Sequence, residues 1–578
     1  MKHLLKNPYI IIQWCIAVAN LLVMHYTLFS SCNVERQLDD LVYLDNFLIV
    51  VGEVLMLNLI LMFITKGRLR SSTFITAIIT LIWAFCNVVY SRFFLQYISV
   101  SAICESSNLL DPFVMKCLID GIRIEDIYYV LSALFSFFCY KKANDSLNLR
   151  KTAVGVIIAM AIIVGIDAAS HITYCLFSPS KRYVSYMMHR LYTEQLSSQC
   201  YYAQPVYANF QRGSMRTLAC HLVENITGAL DLNKEQREIL KKEIAAMRKY
   251  QSYCDKPVEV KNVIFILVES LMSFAIDMKI DGEEVMPFLN SLSKDSTIFY
   301  NGKMTANITL GESSDGQFIY MTGLLPLRSS ITVTEAKKHP FPALPKQLEK
   351  YKDMQTRMII PTAPSMWSQD IMCERYGVKK LISTSDYKRP HGVYLKDEEI
   401  FTIADSIDGI SKSPFFSMVL TFSMHQPYVS RIDGTFDKEN PSLSSSLNNY
   451  LNACHYTDRM LHNYFDKLKG NGLYDNSLIV IASDHHVGES ALTLPESITE
   501  RLLPFFIING GVDMRNTWNG ACNQIDVLPT VLDVLGLKTG WRGLGKSLLS
   551  TDYHNSLTED KWMFSEWMIR GGFLNNDE

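Results

Sequence analysis

The residues best suited to chemistry stand where apolar runs stop. Glu269 closes NVIFILVES, His425 closes FFSMVLTFSMH, and Asp484 with His485 closes SLIVIASDHH. Carboxylate oxygens and imidazole nitrogens are the ligands that a hard or borderline divalent cation takes. Alone, Glu269 reads as a charge at a helix start, Asp484 as a cap and His425 as a turn residue. The same coincidence at the ends of three runs points to a shared metal site. A fourth segment offers a nucleophile. Thr309–Gln317, TLGESSDGQ, is polar, carries two glycines and precedes an apolar stretch, as expected of a loop opening a helix. A serine there lies near backbone N–H groups that favour an anionic phosphate. A divalent metal would lower the serine's pKa and polarise a phosphoryl oxygen. On local sequence alone that serine reads equally well as a helix cap.

The elements that must position these residues are legible from Asn262 onward. Apolar, β-branched runs recur at 262–270, Met354–Pro361, Phe415–His425, Ser477–His486 and Leu503–Gly510, with helical patterns between them such as Leu447–Leu468. Strands alternating with helices predict an α/β domain with a doubly wound, mostly parallel sheet. Ligands of such sheets bind beyond the carboxyl ends of the strands, where Glu269, His425 and the Asp484-His485 pair fall.

The first 170 residues differ in kind. The chain has 578 residues, 48% of them hydrophobic, and a net charge of only −3, which offers no nucleic-acid-binding surface. The apolar excess lies before residue 170, in Pro8–Ser30, Asn46–Thr65, Thr73–Gln96, Thr152–Ala169 and the shorter Ile127–Tyr140. A span needs about 20 apolar residues. Lys2 and Lys6, then Lys66, Arg68 and Arg70, then Lys141, Lys142, Arg150 and Lys151 flank these segments, whereas Glu35, Asp39, Asp40 and Asp45 follow the first. The positive-inside rule fits five spans, with the N-terminus cytoplasmic and everything after Ala169 outside. Residues 171–260 read as a connector with an amphipathic stretch at Ser178–Gln195 and a packing helix over Glu235–Tyr250. The catalytic domain covers 261–550 and a tail covers 551–578. The cysteines show no CxxC or metal-finger spacing.

The ordered set NVIFILVES, GESSDGQF, TFSMHQPY, HYTDRMLHNYFDKLKGNGLYDNSLIVIASDHH and QIDVLPTVLDVLGL resembles the lipoteichoic acid synthase group of the alkaline phosphatase/sulfatase superfamily. The resemblance implies Glu269, Asp484 and His485 as metal ligands, with the nucleophile Ser313 as a fourth. It implies His425 as a phosphate-binding histidine and Trp367 as the wall of a headgroup pocket. Manganese is the metal it implies first, with zinc or magnesium in relatives. The activity implied is transfer of phosphoglycerol from a membrane phospholipid to a glycan, lipid or polymer acceptor outside the cytoplasmic membrane.

Two departures from that pattern stand out. Serine replaces the synthases' threonine, with Ser314 adjacent, and no arginine closely follows Trp367, where Ser368 and Gln369 stand instead. Arg375, His339 and His391 are the candidates to replace its charge. Phosphoethanolamine transfer is the nearest rival, but GESSDGQF lacks the Cys-Gly-Thr segment of those enzymes. The Cys/Ser-x-Pro-x-Arg segment of sulfatases is also missing. Retention of Glu269, Ser313, Asp484 and His485 argues against an inactive lipid-binding relative. The spans hold few ionisable residues, and His25, Arg92 and Asp167 fall near span ends, which argues against a transport path; Glu53 is the main exception.

Overall fold

The computed structural model describes residues 7–31, 40–94, 96–104, 115, 118, 119, 121–143, 158, 209, 210, 213–227, 234–247, 254, 256–327, 331–390, 392–428, 431, 432, 436, 438–488, 492–495, 498, 501–511 and 520–550. It divides into two compact units.

The N-terminal unit contains helices α1 (Pro8–Ser31), α2 (Asp40–Ile64), α3 (Leu69–Phe94), α4 (Ile127–Lys142) and α5 (Ser214–Thr227). Three stretches, Pro8–Phe29, Asn46–Ile64 and Leu69–Arg92, are long and apolar enough to cross a membrane. Helix α4 has 16 residues and turns Leu131, Leu134 and Phe138 outward, while Ser132 and Ser136 are buried. The expected span Thr152–Ala169, the Ser178–Gln195 stretch and the 551–578 tail lie outside the described residues. Small and apolar residues, among them Ala17, Leu21, Val50, Ala77, Ala84 and Val88, form the bundle's core. Its buried polar groups pair across helices: Thr73 donates to Gln13 at 2.6 Å and Ser132 to Asn20 at 2.8 Å. Glu53 also finds its partner inside this unit. Its Oε1 accepts the Arg216 backbone N–H at 2.8 Å, near the start of α5. A Cβ on Gly213 would meet that carboxyl carbon at 2.2 Å, so only glycine fits at this approach.

The C-terminal unit is built on strands β1 (Asn262–Val268), β4 (Phe299–Thr305), β5 (Gln355–Ile359), β6 (Lys380–Ile382), β7 (Phe415–Leu420), β8 (Ser477–Ser483), β9 (Leu503–Ile508) and β10 (Cys522–Asn523), in the order β10-β4-β9-β8-β1-β7-β5-β6. The short β2 (Lys279–Ile280) and β3 (Glu283–Glu284) form a separate ribbon. The parallel core β8-β1-β7-β5 matches the expectation, and every residue of β1, β7 and β8 is buried. The sheet is nevertheless mixed, because β9 runs antiparallel to both β8 and β4. Its run LPFFII is buried throughout like that of the parallel strand β8, so composition carried no direction.

Helices cover both faces. Ile264, Ile266 and Val268 of β1 enter a core with Leu447, Leu451 and Leu461 of the long helix Ser445–Gly470. Phe265, pointing the other way, meets Tyr320 with ring centroids 5.4 Å apart. Tyr320 belongs to the buried helix Ser313–Thr322, which the Thr309–Gln317 loop opens as expected. This period-two alternation packs the helix of the candidate nucleophile against the strand that ends in Glu269.

Candidate active site

Strands β8, β1 and β7 are adjacent and parallel, so their carboxyl ends deliver Asp484 with His485, Glu269 and the turn to His425 along one edge. Ligand atoms of Glu269, Asp484 and His485 all lie within 4.8 Å of one another, and the three residues are buried. Ser313 Oγ lies 3.0 Å from His485 Nε2 and 3.4 Å from Glu269 Oε2. The structure thus brings four of the six expected residues into one cluster. Ser314 points away, its hydroxyl donating to the Gly311 carbonyl at 2.8 Å, so of the two serines it is Ser313 that faces the cluster.

Backbone and side-chain props fix the cluster. The Ser270 N–H donates to Asp484 Oδ1 at 2.8 Å and its hydroxyl to Glu269 Oε1 at 2.8 Å. Thr421, just past β7, accepts the Glu269 N–H at 2.9 Å. The His485 Nδ1–H donates to the His486 carbonyl at 2.8 Å, which turns Nε2 toward Ser313 and the carboxylates. The nucleophile loop is tied by Asp315, whose Oδ2 accepts from the Thr309 N–H, the Thr309 hydroxyl and the Gly311 N–H at 2.7 to 3.0 Å. Glu312, just before Ser313, sits at φ 41°, a strained conformation for a residue with a side chain. Gly316 lets the helix touch the strand end: a Cβ there would stand 2.3 Å from the Asp484 carbonyl oxygen.

The electrostatics are those of a crowded anionic cavity. Burial would raise the Glu269 carboxyl, but electrostatic interaction with His425, hydrogen bonding and charge from His485 and the Ser270 hydroxyl hold it well below the usual range. Burial, then the charge of Glu269, pushes Asp484 up. Burial opposes protonation of His485, yet Asp484 and Glu269 raise it well above the ordinary value. Burial also raises Glu312. Two buried carboxylates and the imidazole Nε2 facing one serine hydroxyl form the donor set of a divalent cation, which would take the place of the proton on that nitrogen, so the residues fit the expected metal.

His425 stands five residues beyond β7, its ring stacked on Phe422 at 4.9 Å and its Nδ1 2.5 Å from the Gln426 carbonyl. The turn before it is held by Asp397, buried, which accepts from the Phe422 and Ser423 N–H groups at 2.8 and 2.9 Å and from the Thr457 hydroxyl at 2.7 Å. Trp367 lies in a short turn whose neighbour Gln369 donates to Gln317 of the nucleophile helix at 2.7 Å. Of the candidates to replace the arginine, Arg375 donates to the Lys337 carbonyl at 2.7 Å and pairs with Glu374. His391 lies outside the described residues. Among the described residues, Lys337 reaches this turn, its Nζ donating to Ser368 Oγ at 3.3 Å. Ser270, Thr421, Glu312 and Asp397 were missed from sequence. Only Ser270, directly after Glu269, and Glu312, beside Ser313, had a positional signal.

A mixed sheet with a buried acid–imidazole cluster and a serine at a helix start defines a domain of alkaline phosphatase/sulfatase type. Residues 261–537 match the sulfatase family model. The chain is 30% identical over 313 residues to the lipoteichoic acid synthase-like YvgJ of Bacillus subtilis, a match covering 50% of each, so it spans about half the length of that relative. It is 25% identical over 514 residues to the lipoteichoic acid synthase of Staphylococcus saprophyticus, covering 84% of this chain and 75% of that one. The lipooligosaccharide phosphoethanolamine transferase A of Neisseria meningitidis shares the fold with a TM-score of 0.51 at 12% identity, over 91% of this chain and 96% of that one.

Proposed function

We propose that the chain is a membrane-anchored phosphotransferase. It moves a phosphoglycerol group from a phospholipid to an extracytoplasmic hydroxyl acceptor on a glycan, lipid or polymer, through a phosphoserine on Ser313. The observation that carries this reading is Ser313 Oγ at 3.0 Å from His485 Nε2 and 3.4 Å from Glu269 Oε2, inside the cluster completed by Asp484. Ser313 Oγ attacks phosphorus, its bond to phosphorus forms, and the bond to the diacylglycerol oxygen breaks with a proton going to that oxygen. The acceptor hydroxyl then attacks the same phosphorus, loses its proton, and the bond to Ser313 Oγ breaks, restoring the serine.

Glu269, Asp484 and His485, with Ser313 as the fourth ligand, would hold a divalent cation, manganese first and zinc or magnesium as alternatives, which supplies Lewis-acid polarisation and a lowered hydroxyl pKa. Ser270 and the His486 carbonyl orient those ligands from behind. His425, kept in place by the Asp397-braced turn, donates to a phosphoryl oxygen and stabilises its charge. Trp367 forms the apolar wall for the headgroup. The N-terminal helices, read as five spans with the N-terminus cytoplasmic, keep the domain at the outer face of the cell membrane. There lipid headgroups are present at high effective concentration.

Full-length protein in proteoliposomes with headgroup-labelled phosphatidylglycerol tests the reading. The wild type is expected to release diacylglycerol and acquire label, and Ser313→Ala to acquire none while still binding metal. Label retained by Ser313→Ala overturns the assignment, and labelling from phosphatidylethanolamine alone would transfer the reading to phosphoethanolamine.

A further inference from the structure

Helix α5 carries its polarity the reverse way for a helix in water. Ser214, Thr217 and His221 are buried, while Ala219, Leu222 and Ile226, one stripe at helical spacing, are exposed, Ile226 to 76%. A helix packed on a domain in water buries its apolar stripe and exposes the polar one. In a bilayer the polar side chains pair within the bundle and the apolar ones meet the lipid. Helix α4 has that same arrangement, with Leu134 and Phe138 outward and Ser132 and Ser136 buried.

Three hydrogen bonds set the depth of α5. Before the helix, Phe210 is fully buried against His25 and Phe29 of α1, ring centroids 5.8 and 4.6 Å away, and its carbonyl accepts from Asn46 Nδ2 at 2.5 Å. His25 and Phe29 stand near the end of α1 and Asn46 near the start of α2, ends that share one side of the bilayer. Farther on, Ser214 Oγ accepts from Trp83 Nε1 at 2.9 Å and the Arg216 N–H donates to Glu53 at 2.8 Å. Glu53 is seven residues along α2 from Asn46, and Trp83 is nine residues along α3 from Arg92, the residues that bound the two apolar stretches on that side. At a rise of 1.5 Å per residue these depths are about 10 and about 14 Å. Two helices of opposite direction thus assign the start of α5 a similar level, inside a hydrocarbon layer about 30 Å thick. No water is available there for the first N–H groups of a helix. The Glu53 carboxylate supplies an acceptor, and Gly213 leaves room for it.

We propose that α5 is a re-entrant membrane segment: the chain dips back into the bilayer, is latched there by Glu53, and packs Ala219, Leu222 and Ile226 against phospholipid acyl chains. The inference rests on the reading of α1, α2 and α3 as spans. Lipid is the occupant because α5 starts at the depth of Met56, which is itself exposed on α2, one helical turn beyond Glu53. The stripe on α5 continues that apolar surface.

The test is photolabelling of the full-length protein in nanodiscs of phosphatidylglycerol that carries a diazirine midway along one acyl chain, with adducts mapped by peptide mass spectrometry. Adducts are expected on the peptide containing Ala219, Leu222 and Ile226, and on the α2 peptide containing the exposed Ile60, which serves as the reference for a span. Glu53→Ala should lower the α5 yield severalfold and leave the Ile60 yield unchanged, which also reports that the variant is inserted. Glu53→Gln, which keeps an acceptor oxygen, should retain most of the α5 yield. Adducts on Ile60 with none on α5 overturn the proposal, as does an α5 yield unchanged by Glu53→Ala. Adducts on neither would overturn the span reading and the proposal with it. A disulfide between the exposed Cys220 of two copies, formed on mild oxidation without lipid adducts on α5, would assign the stripe to a second copy and overturn the proposal in its turn.

Discussion

Gly316→Ala is the sharpest perturbation available, because two effects of opposite sign act on it. In a helix interior, alanine for glycine stabilises by about 1 kcal/mol through backbone entropy. Here the added Cβ would sit 2.3 Å from the Asp484 carbonyl oxygen, 2.9 Å from its carbonyl carbon and 3.0 Å from its Cα. Ordinary carbon–oxygen contacts lie near 3.3–3.6 Å, so the helix must back away from the strand end by about 1 Å. Backbone on both sides cannot yield as a flexible side chain would, and overpacking of this kind costs about 1–3 kcal/mol. The clash therefore outweighs the propensity gain. The larger consequence is geometric. Ser313 is three residues upstream on the same helix, and a shift of about 1 Å away from His485 and Glu269 is expected to lower kcat/KM about a hundredfold. Headgroup transfer and thermal unfolding of the full-length protein measure both. Gly470→Ala is the control, since nothing lies within 4 Å of a Cβ at Gly470; it should leave transfer unchanged. Gly316→Ala with wild-type transfer and an unchanged melting temperature would refute the claim that this contact positions the nucleophile.

Ser313→Thr, which adds only a methyl, should keep measurable transfer while Ser313→Ala loses at least about a thousandfold, since covalent catalysis requires the hydroxyl. Chelation should lower the melting temperature and abolish transfer, and manganese at a hundredfold over its Kd should restore about 2.7 kcal/mol. Glu269→Gln and Asp484→Asn should lose that manganese response, and a full response in either would remove the residue from the ligand set. Asp397→Ala, which removes the acceptor shared by two N–H groups of the turn before His425, should cost about 2–3 kcal/mol and reduce transfer. Asp397→Asn should recover part of both, and transfer unaffected by Asp397→Ala would show that the turn stands without it. Asp458 gives a pH test. Burial, against two backbone N–H bonds from Phe288 and Leu289, pushes its carboxyl up to about 7. The folded state then holds its proton more tightly than the unfolded chain, so this group's contribution to stability falls as pH rises from about 4 toward 7. The stability advantage of wild type over Asp458→Asn should shrink across that window, measured by thermal unfolding, and a constant difference would contradict the buried, raised carboxyl.

Much of the site was legible because its residues mark the ends of uninterrupted apolar runs. Glu269 and the Asp484-His485 pair needed only the rule that parallel strands present their carboxyl ends together. That rule was sufficient because β8, β1 and β7 are neighbours. The helix start at Ser313 was legible from a polar, glycine-bearing loop followed by apolar residues. The orienting groups were not. Thr421 and Asp397 act through hydrogen bonds between segments from 25 to about 150 residues apart, and nothing in their local sequence distinguishes them from ordinary polar residues near strand ends. The direction of β9 was hidden for a related reason: a strand buried on both faces reads the same whichever way it runs.

The sequence by itself determined the division into an apolar N-terminal third and an α/β domain, the strand-end acids and histidines, and the class of ligand those atoms can hold. These follow from local physics: hydrophobic periodicity, run length and side-chain chemistry. Tertiary structure decided which of two adjacent serines faces the cluster, because a rotation of one residue on a helix turns Ser314 to the Gly311 carbonyl and Ser313 to His485. It also decided which cation stands beside Trp367. Arg375 is nearer in sequence, but its guanidinium is drawn to the Lys337 carbonyl, and the packing of two distant segments delivers Lys337 to Ser368 instead.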